Sequence, residues 1–237
     1  MKRVLVTGST QGIGKAIAAR FVKNGFYVIV HCSSDLEKAK RVRHEIGAHA
    51  AVACDLSAPN AAENLKAATG EIDALVLNAS VQYKQKWFEA SPELIQKQLQ
   101  VNFVSTVRLM QEYVPDMQKK GWGRVITIGS VNQHHRHPEL SIYAATKCAV
   151  MSFVENVAKE VAPFGVTVNN VAPGAIDTPR NAAVTGNAEL LAKAESVIPV
   201  GRFGTADECA GIVAYLAGED ASYITGADIA VDGGMGL

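Results

Sequence analysis

Short apolar runs alternate with longer segments of helical periodicity along all 237 residues, and this alternation constrains the fold more than any other feature. It is typical of parallel strands joined by crossover helices. Several runs are apolar at every position, which indicates a sheet with helices on both faces. We therefore predict one α/β domain over residues 1–237, a doubly wound, Rossmann-type parallel sheet of seven strands. The predicted strands are Val4 to Thr7, Tyr27 to His31, Ala50 to Cys54, Ala74 to Leu77, Arg124 to Ile128, Thr167 to Val171 and Asp228 to Val231.

Two long amphipathic helices and one lid segment are predicted in the second half of the chain. The first helix begins near Leu94 and is ended by Pro115 and Gly121, and the second begins near Tyr143. The stretch of small and polar residues at about 178–199 is interpreted as a lid of short helices that moves on ligand binding.

Charge and composition exclude several classes of function. The 23 Lys and Arg residues balance the 23 Asp and Glu residues, so neither nucleic acid nor an anionic membrane is an expected partner. No apolar run is long enough for a membrane span or a signal peptide, which predicts a cytoplasmic protein. Four widely spaced cysteines, without any C-x-x-C pair, are expected to pack as small apolar residues: Cys32, Cys54, Cys148 and Cys209.

A glycine-rich turn follows the first predicted strand, with the spacing G-x-x-x-G-x-G directly before a helix. Glycines let the backbone approach a pyrophosphate, and the N-terminus of the helix receives its negative charge. The alternative is a turn that only links strand to helix. Its place at the first strand-to-helix turn favours a dinucleotide-binding site. The residues predicted to bind the dinucleotide here are Gly8, Ser9, Thr10, Gln11, Gly12, Ile13 and Gly14.

The end of the second strand distinguishes NAD from NADP. An acidic residue at this point binds the ribose 2′-hydroxyl of NAD, whereas small hydroxyl residues leave room for the 2′-phosphate of NADP. Here Ser33 and Ser34 precede the first acid, Asp35, so NADP is favoured and NAD is the alternative. We expect both serines to donate to the phosphate and His31 to assist electrostatically. A helix-capping turn explains the serines equally well.

A serine, a tyrosine and a lysine are spaced so that they converge. Tyr143 and Lys147 are four residues apart on a predicted helix and share one face. Ser130 comes just after the fifth strand, at the sheet edge where parallel sheets bind ligands. Taken singly, these residues are more typical of a core tyrosine, a solvated lysine and a turn-capping serine than of a catalytic site. Together they predict a catalytic group.

With these motifs the sequence resembles the short-chain dehydrogenase/reductase family of NAD(P)(H)-dependent oxidoreductases, over essentially the whole chain, and in particular its 3-oxoacyl-carrier-protein reductase and sugar-dehydrogenase members. The closing segment Val231-Asp232-Gly233-Gly234 and a polar residue, Asn102, also match. The resemblance implies that Tyr143 and Lys147 contact the cofactor. It implies the same for Asp55, Leu56, Asn78, Ala79, Ser80, Pro173, Gly174, Ile176 and Thr178.

Two positions depart from the family pattern. Ser80 replaces a usual glycine, which adds a hydroxyl near the nicotinamide side of the site. Gln11 stands where many NADP-dependent members have a basic residue, so the usual charge partner of the 2′-phosphate is missing.

The resemblance also implies a role for each catalytic residue. Tyr143 is the general acid/base, and the Lys147 ammonium lowers its pKa and binds the nicotinamide ribose. Ser130 stabilises the charge that develops on the substrate oxygen. Asn102 holds a water that links Lys147 to solvent; its alternatives are a satisfied core amide or a helix-kink residue.

Polar residues predicted at the pocket rim favour a small polar substrate such as a sugar, polyol or hydroxy acid. A 3-oxoacyl thioester is a further substrate class. His134, His135 and His137 are interpreted as solvated surface, and we expect no catalytic metal. The residues predicted to bind the substrate are Ser130, Gln82, Asn132, Gln133 and Arg180.

The leading prediction is thus an NADP(H)-dependent oxidoreductase that interconverts a carbonyl and a secondary alcohol. The alternatives are an NAD(H)-dependent sugar or polyol dehydrogenase and a noncatalytic dinucleotide-binding regulator of the same fold. The resemblance implies a homotetramer or homodimer, with contacts through the helices near residues 94–118 and 143–161 and through the C-terminal tail.

Overall fold

Seven parallel strands form one sheet in the computed structural model, which describes residues 1–237. Along the sheet the strands follow the order β3-β2-β1-β4-β5-β6-β7. This confirms the predicted seven-stranded parallel sheet with helices on both faces. The strands are β1 (Arg3–Val6), β2 (Tyr27–Cys32), β3 (Ala50–Ala53), β4 (Ala74–Leu77), β5 (Gly123–Ile128), β6 (Val166–Pro173) and β7 (Asp228–Val231).

Helices cover both faces of this sheet. A π-helical turn, Gln100–Val104, joins two of them, α4 and α5, and α1 packs on α9. The α-helices are α1 (Gly12–Lys23), α2 (Leu36–Ile46), α3 (Ala61–Thr69), α4 (Pro92–Leu99), α5 (Ser105–Lys120), α6 (Ser141–Val161), α7 (Ala182–Thr185), α8 (Ala188–Glu195) and α9 (Ala206–Leu216).

Alternate residues of β1 enter two apolar clusters on opposite faces of the sheet. In β1, Leu5 packs in the cluster that contains residues of α3, α5 and α6, while Val4 and Val6 pack with α1 and α9. Successive side chains of a strand point to opposite faces, so a sheet covered on both sides needs apolar residues throughout. This explains why the strands could be recognised as continuous apolar runs.

Two predicted boundaries differ from those observed. Pro115 does not end its helix but lies inside α5, which continues to Lys120 and ends at Gly121 in the left-handed conformation. A proline in a helix removes one hydrogen bond, and tertiary packing of α5 offsets that loss. The strand β6 extends to Pro173, which pairs with Val231 of β7 instead of following the strand.

The four cysteines are all free. Cys32 and Cys209 are buried and Cys54 is half-buried, as expected for packing residues. Cys148 is exposed, contrary to that prediction, because the buried face of α6 contains Tyr143, Lys147 and others but not position 148. None of the helices is both long and apolar enough to span a bilayer.

The strand order reverses between β1 and β4, which are neighbours in the sheet. From β1 the chain proceeds to one side through β2 and β3, and from β4 it proceeds to the other. A crevice forms beyond the carboxyl ends of strands at such a point, and open α/β sheets bind their ligands there. The topology therefore brings the glycine-rich turn after β1 beside the segment Asn78-Ala79-Ser80 after β4.

Candidate active site

A cavity of about 1050 Å³ lies at this edge of the sheet, at the upper end of the sizes of ligand pockets. Four predicted site residues do not line it, namely Ser9, Asn102, Gln133 and Lys147. The predicted residues that do line it are Gly8, Thr10, Gln11, Gly12, Ile13, Gly14, Ser33, Ser34, Asp55, Leu56, Asn78, Ala79, Ser80, Gln82, Ser130, Asn132, Tyr143, Pro173, Gly174, Ile176, Thr178 and Arg180.

The glycine-rich turn has a backbone that other residues adopt poorly. Gly8 and Gly12 have φ of 63° and 53°, in the left-handed region that favours glycine. At Gly14 a Cβ would lie 2.4 Å from Asn78 Nδ2 and 2.5 Å from the Gly8 carbonyl oxygen. The first turn of α1 has no acidic residue, and Gln11 does not cap it with its side chain. The positive end of α1 is thus available to an anion.

Asn78 ties the glycine-rich turn to β4. Its Nδ2 donates to the carbonyl oxygens of Thr7 at 2.8 Å and Gly8 at 3.0 Å. In return, Thr7 Oγ1 accepts hydrogen bonds from the backbone N–H groups of Asn78 and Ala79. These bonds fix the distance between the two turns that face the cavity, so the site is held in shape by the protein itself.

His31 is a support of the turn and not a charged partner of the phosphate, so the expectation from the sequence was wrong. Its Nδ1 accepts from Gly8 N at 3.0 Å, and its Nε2 lies 3.0 Å from the Cys54 carbonyl oxygen. Burial lowers the pKa of His31 to about 4, so the imidazole is neutral at neutral pH. Ser9 is also a support, because its buried Oγ accepts from His31 N.

The lowered pKa of His31 predicts an acid-sensitive folding equilibrium. The unfolded chain takes up a proton below about pH 6.5, while the folded imidazole stays neutral until about pH 4. The free energy of unfolding is therefore highest above pH 6.5, and it falls as the pH decreases from 6.5 towards 4. Between pH 7 and pH 5 we expect His31 to account for a loss of about 2 kcal/mol. Urea unfolding of wild type and His31→Gln measures it; equal losses in both proteins would contradict the prediction.

Lys38 is a cavity residue that the sequence motifs did not indicate. Its Nζ donates to Gln11 Oε1 at 3.1 Å, and it shares its end of the cavity with Ser33 and Ser34. Asp35 caps α2 by accepting from Lys38 N at 2.8 Å, which sets where the lysine falls on the helix. The Lys38 ammonium thus lies beside Gln11, which occupies the position where many NADP-dependent members of the family have a basic residue. The Asx cap at Asp35 was the one sequence signal that could have located it.

The structure brings Ser130 and Tyr143 to the same cavity. Ser130 Oγ accepts from both the backbone N and the Nδ2 of Asn132, each at 3.2 Å, so its own hydrogen is left to donate elsewhere. The preceding Gly129 has no room for a side chain, because a Cβ would lie 2.4 Å from Asn170 Nδ2. Asn132 therefore orients the serine hydroxyl, and a buried amide fixes the turn beneath it.

Charge and burial around Tyr143 differ from what the family resemblance implied. Burial raises the pKa of Tyr143 above its ordinary value, and the positive charge of Arg180 opposes this, as do hydrogen bonds with Ser130, Arg180 and Ser80. The buried Lys147 donates to the Ile128 carbonyl oxygen at 2.7 Å. Burial, with the charge of Arg180, lowers the pKa of Lys147 to about 7. Arg180 is thus one cation that acts on Tyr143, and Lys147 Nζ lies 5.6 Å from the centroid of the Tyr143 ring.

Asn102 lies in the π-helical turn and matches the alternative interpretations, a satisfied core amide at a helix irregularity. Its Nδ2 donates to Val81 O at 2.9 Å and Thr146 Oγ1 at 3.1 Å, and its Oδ1 accepts from Val81 N at 2.8 Å. Both amide hydrogens are therefore used within the protein. Through Val81 and Thr146, Asn102 joins the segment after β4 to helix α6.

Gln133 does not contact the cavity, so the prediction that it binds substrate is wrong. Its side chain is buried, donates from Nε2 to Asp228 Oδ2 at 2.5 Å and accepts at Oε1 from Ser130 N. His134 also contacts Asp228, at 2.6 Å. Sequence neighbours of Ser130 thus diverge, with Asn132 towards the cavity and Gln133 into the sheet. No group of three or more His, Cys, Asp or Glu side chains is arranged to hold a metal ion.

Comparison with known proteins agrees with this geometry. Residues 8–236 match the family model described as enoyl-(acyl carrier protein) reductase. The chain is 38% identical to a 3-oxoacyl-[acyl-carrier-protein] reductase of Salmonella typhimurium, over 99% of this chain and 97% of that protein.

Two solved structures are also similar. A 3-oxoacyl (acyl-carrier-protein) reductase from Agrobacterium tumefaciens C58 with NADP bound has a TM-score of 0.94 and 35% identity, over 98% of this chain and 93% of that one. A putative NAD(P)-dependent gluconate 5-dehydrogenase from Beutenbergia cavernae, with NADP bound at low occupancy, has a TM-score of 0.92 and 33% identity, over 99% and 96%.

The chain therefore belongs to the short-chain dehydrogenase/reductase family, as its motifs predicted. It is an oxidoreductase of the class that acts on CH–OH groups and carbonyls.

Proposed function

We propose that the protein binds NADP(H) in this cavity and interconverts a carbonyl compound and a secondary alcohol by hydride transfer. One observation supports this most strongly: the uncapped end of α1 and the hydroxyls of Ser130 and Tyr143 face one cavity. The helix end suits a pyrophosphate, and the two hydroxyls suit a reacting oxygen. The NADP bound in both similar structures also supports the proposal.

The residues present fit this cofactor. The space that a Cβ would fill at Gly14 is taken up by Asn78 and the backbone, so the turn stays open only with glycine. Bound here, the cofactor supplies a hydride to the carbonyl carbon or accepts one from the alcohol. Residues 8–14 would hold the pyrophosphate and Asp55 and Leu56 the adenosine. The nicotinamide side would be held by Asn78, Ala79, Ser80, Pro173, Gly174, Ile176 and Thr178.

In this proposal Tyr143 handles the proton. It donates its phenolic proton to the carbonyl oxygen during reduction and takes a proton from the alcohol during oxidation. Ser130 donates a hydrogen bond to the same oxygen and stabilises its developing charge. The two Asn132 hydrogen bonds already occupy the acceptor side of the serine, which leaves the serine as a donor.

Lys147 is suited to exchange protons near neutral pH. Its pKa of about 7 means that both the amine and the ammonium are populated there. The side chain is buried and anchored to the Ile128 carbonyl, one turn from Tyr143 on α6. We propose that Lys147 restores the proton that Tyr143 gives up, and that it contacts the nicotinamide ribose. The Asn102 amide would position α6 for this step.

Lys38 would pair with the 2′-phosphate that distinguishes NADP from NAD. Replacing Lys38 by glutamine removes the charge and keeps a polar side chain of similar length. We expect the Kd for NADPH to rise about tenfold, as for the loss of one charge-assisted hydrogen bond, and the Kd for NADH to stay unchanged. Fluorescence titration measures both constants.

Lys40→Gln is the matched control, because Lys40 is on the same helix but pairs with Glu37 outside the cavity. It should leave both constants as in wild type. An equal loss of NADPH and NADH affinity in Lys38→Gln would contradict the assignment of Lys38 to the 2′-phosphate.

The direct test of the function is carbonyl-dependent oxidation of NADPH by the purified protein. The panel contains short oxo acids, keto sugars and 3-oxoacyl thioesters, with oxidation followed by the absorbance of the reduced nicotinamide. We expect at least one class to be reduced. NADPH binding without turnover of any class would favour the noncatalytic regulator.

Two narrower functions are each favoured by a specific observation. Reduction of a 3-oxoacyl thioester is favoured by the names of the Salmonella and Agrobacterium proteins. NAD(H) as the cofactor of the alternative, a sugar or polyol dehydrogenase, is favoured by Asp35, which lines the cavity beside Ser33 and Ser34. Its carboxylate already caps α2, and Lys38 stands next to it, so we place NADP(H) first.

A homotetramer or homodimer is part of the proposal, and a cytoplasmic location stays a prediction. The π-helical turn before α5 and helix α6 present half-buried apolar residues, Phe103 and Phe153, whose rings meet edge to face. Light scattering should give a mass of two or four times 25.2 kDa, and a mass of 25.2 kDa would contradict the oligomer.

A further inference from the structure

Arg180 begins the lid segment, and its side chain crosses to the segment after β4. Its Nη2 donates to the Ser80 carbonyl oxygen at 2.9 Å and to Ser80 Oγ at 3.0 Å. The second bond needs the hydroxyl that this sequence has at position 80. Arg180 lines the same cavity as Tyr143 and acts on it directly. The guanidinium is thus held at the reaction centre by Ser80.

The charge of Arg180 has no carboxylate partner in the protein. None of the ion pairs in the structure includes it, and the two carboxylates that line the cavity interact elsewhere. Asp35 caps α2 and lies 3.9 Å from Arg41, and Asp55 binds Ser57 and lies 3.9 Å from Lys97. Arg180 therefore faces hydroxyl and amide groups only.

Arg180 also keeps hydrogen-bond donors free. A guanidinium has five N–H groups, and the two on Nη2 are used by Ser80. The hydrogen bond with Tyr143 uses one more, which leaves two N–H groups without a partner in the protein. Free guanidinium donors beside each other match the two oxygens of a carboxylate.

A second cation makes an anionic ligand more favourable still. Repulsion from the charge of Arg180 adds to burial in lowering the pKa of Lys147. An anion bound by Arg180 would reduce this repulsion, whereas an uncharged substrate would leave it in place. The guanidinium of Arg180 therefore has a charge in the cavity that no carboxylate of the chain neutralises.

We propose that the substrate carries a carboxylate close to its reacting carbonyl or alcohol group, and that Arg180 binds this carboxylate. The proposal rests on the function proposed above. Because Arg180 contacts Ser80 and acts on Tyr143, the carboxylate lies one or two carbons from the reacting carbon. The substrate class is a 2-oxo or 3-oxo acid and the corresponding hydroxy acid. A carrier-bound thioester has no charge at this position and is disfavoured.

Binding in dead-end complexes tests this without turnover. The protein saturated with NADPH is titrated calorimetrically with 2-hydroxybutanoate and 3-hydroxybutanoate, and with the uncharged amide of each. In wild type we expect at least one acid to bind about 10- to 100-fold more tightly than its amide. In Arg180→Met the ratio of the two Kd values should fall to about one, while the Kd for NADPH changes less than about threefold.

Arg136→Met is the matched control, since Arg136 contacts the His134 carbonyl outside the cavity and its loss changes the net charge equally. It should keep the wild-type preference for the acid. A ratio near one for both pairs in wild type, or an unchanged ratio in Arg180→Met, would overturn the proposal. Weaker NADPH binding in Arg180→Met without a change in the acid-to-amide ratio would also overturn the proposal, because Arg180 would then bind the cofactor. If wild type binds no NADPH, the proposed function itself fails, and the carboxylate proposal with it.

Discussion

We expect Tyr143→Phe to lower kcat by about 10² to 10⁴ and to leave the Kd for NADPH within about threefold of wild type. The substitution removes only the phenolic oxygen. The ring lies in a buried position, 3% exposed, where phenylalanine fits without rearrangement. The proton donor would be lost, while the glycine-rich turn that holds the phosphates would be untouched.

The measurement combines NADPH titration with steady-state turnover of whichever carbonyl the panel identifies. A second substitution, Tyr27→Phe, is the control, because Tyr27 is at the start of β2, away from the cavity, and stacks on His49. It should turn over substrate at the wild-type rate. Turnover of Tyr143→Phe within a few-fold of wild type would remove Tyr143 from the role of general acid/base.

Gly14→Ala is expected to have the second large effect. The added Cβ would meet Asn78 Nδ2 at 2.4 Å and the Gly8 carbonyl oxygen at 2.5 Å, and the latter is backbone that moves only with the whole turn. We expect a loss of about 1–3 kcal/mol in the free energy of unfolding. The displaced turn should also weaken NADPH binding by at least about tenfold.

Gly211→Ala is a control with the opposite expected sign. Gly211 lies within α9, and a Cβ there would meet nothing within 4 Å. Alanine in a helix interior should stabilise the protein by up to about 1 kcal/mol. Urea unfolding and NADPH titration of both variants measure the difference. Wild-type affinity in Gly14→Ala would show that the turn does not hold the cofactor.

Most of the fold could be predicted from the sequence because a parallel sheet buried on both faces leaves a local signal. Each strand is a short apolar run, and the predicted strands all fall within two residues of those observed. The irregularity around Asn102 could not be predicted in this way. The apolar periodicity continues through the π-helical turn, and only the contacts of Asn102 with Val81 and Thr146 mark it.

The site residues can also be separated into those that a local pattern predicts and those that depend on contacts between distant segments. Gly8, Gly12 and Gly14 belong to a motif whose spacing is set by local backbone geometry, so their place in the cavity could be predicted. The positions of Lys38 and Arg180 depend on contacts between distant segments, with Gln11 and with Ser80. For the same reason the neutral state of His31 and the inward orientation of Gln133 could not be inferred. His31 is neutral because the fold buries it, and Gln133 is turned inward by its hydrogen bond with Asp228; no local pattern indicates either of these.

Parallel fluorescence titrations of the wild-type protein with NADPH and NADH show whether this cavity is an NADP(H) site. They require no knowledge of the substrate. We expect saturable binding of both nucleotides, with a lower Kd for NADPH. Binding of neither nucleotide would contradict it, and tighter binding of NADH would contradict the role given to Lys38, Ser33 and Ser34.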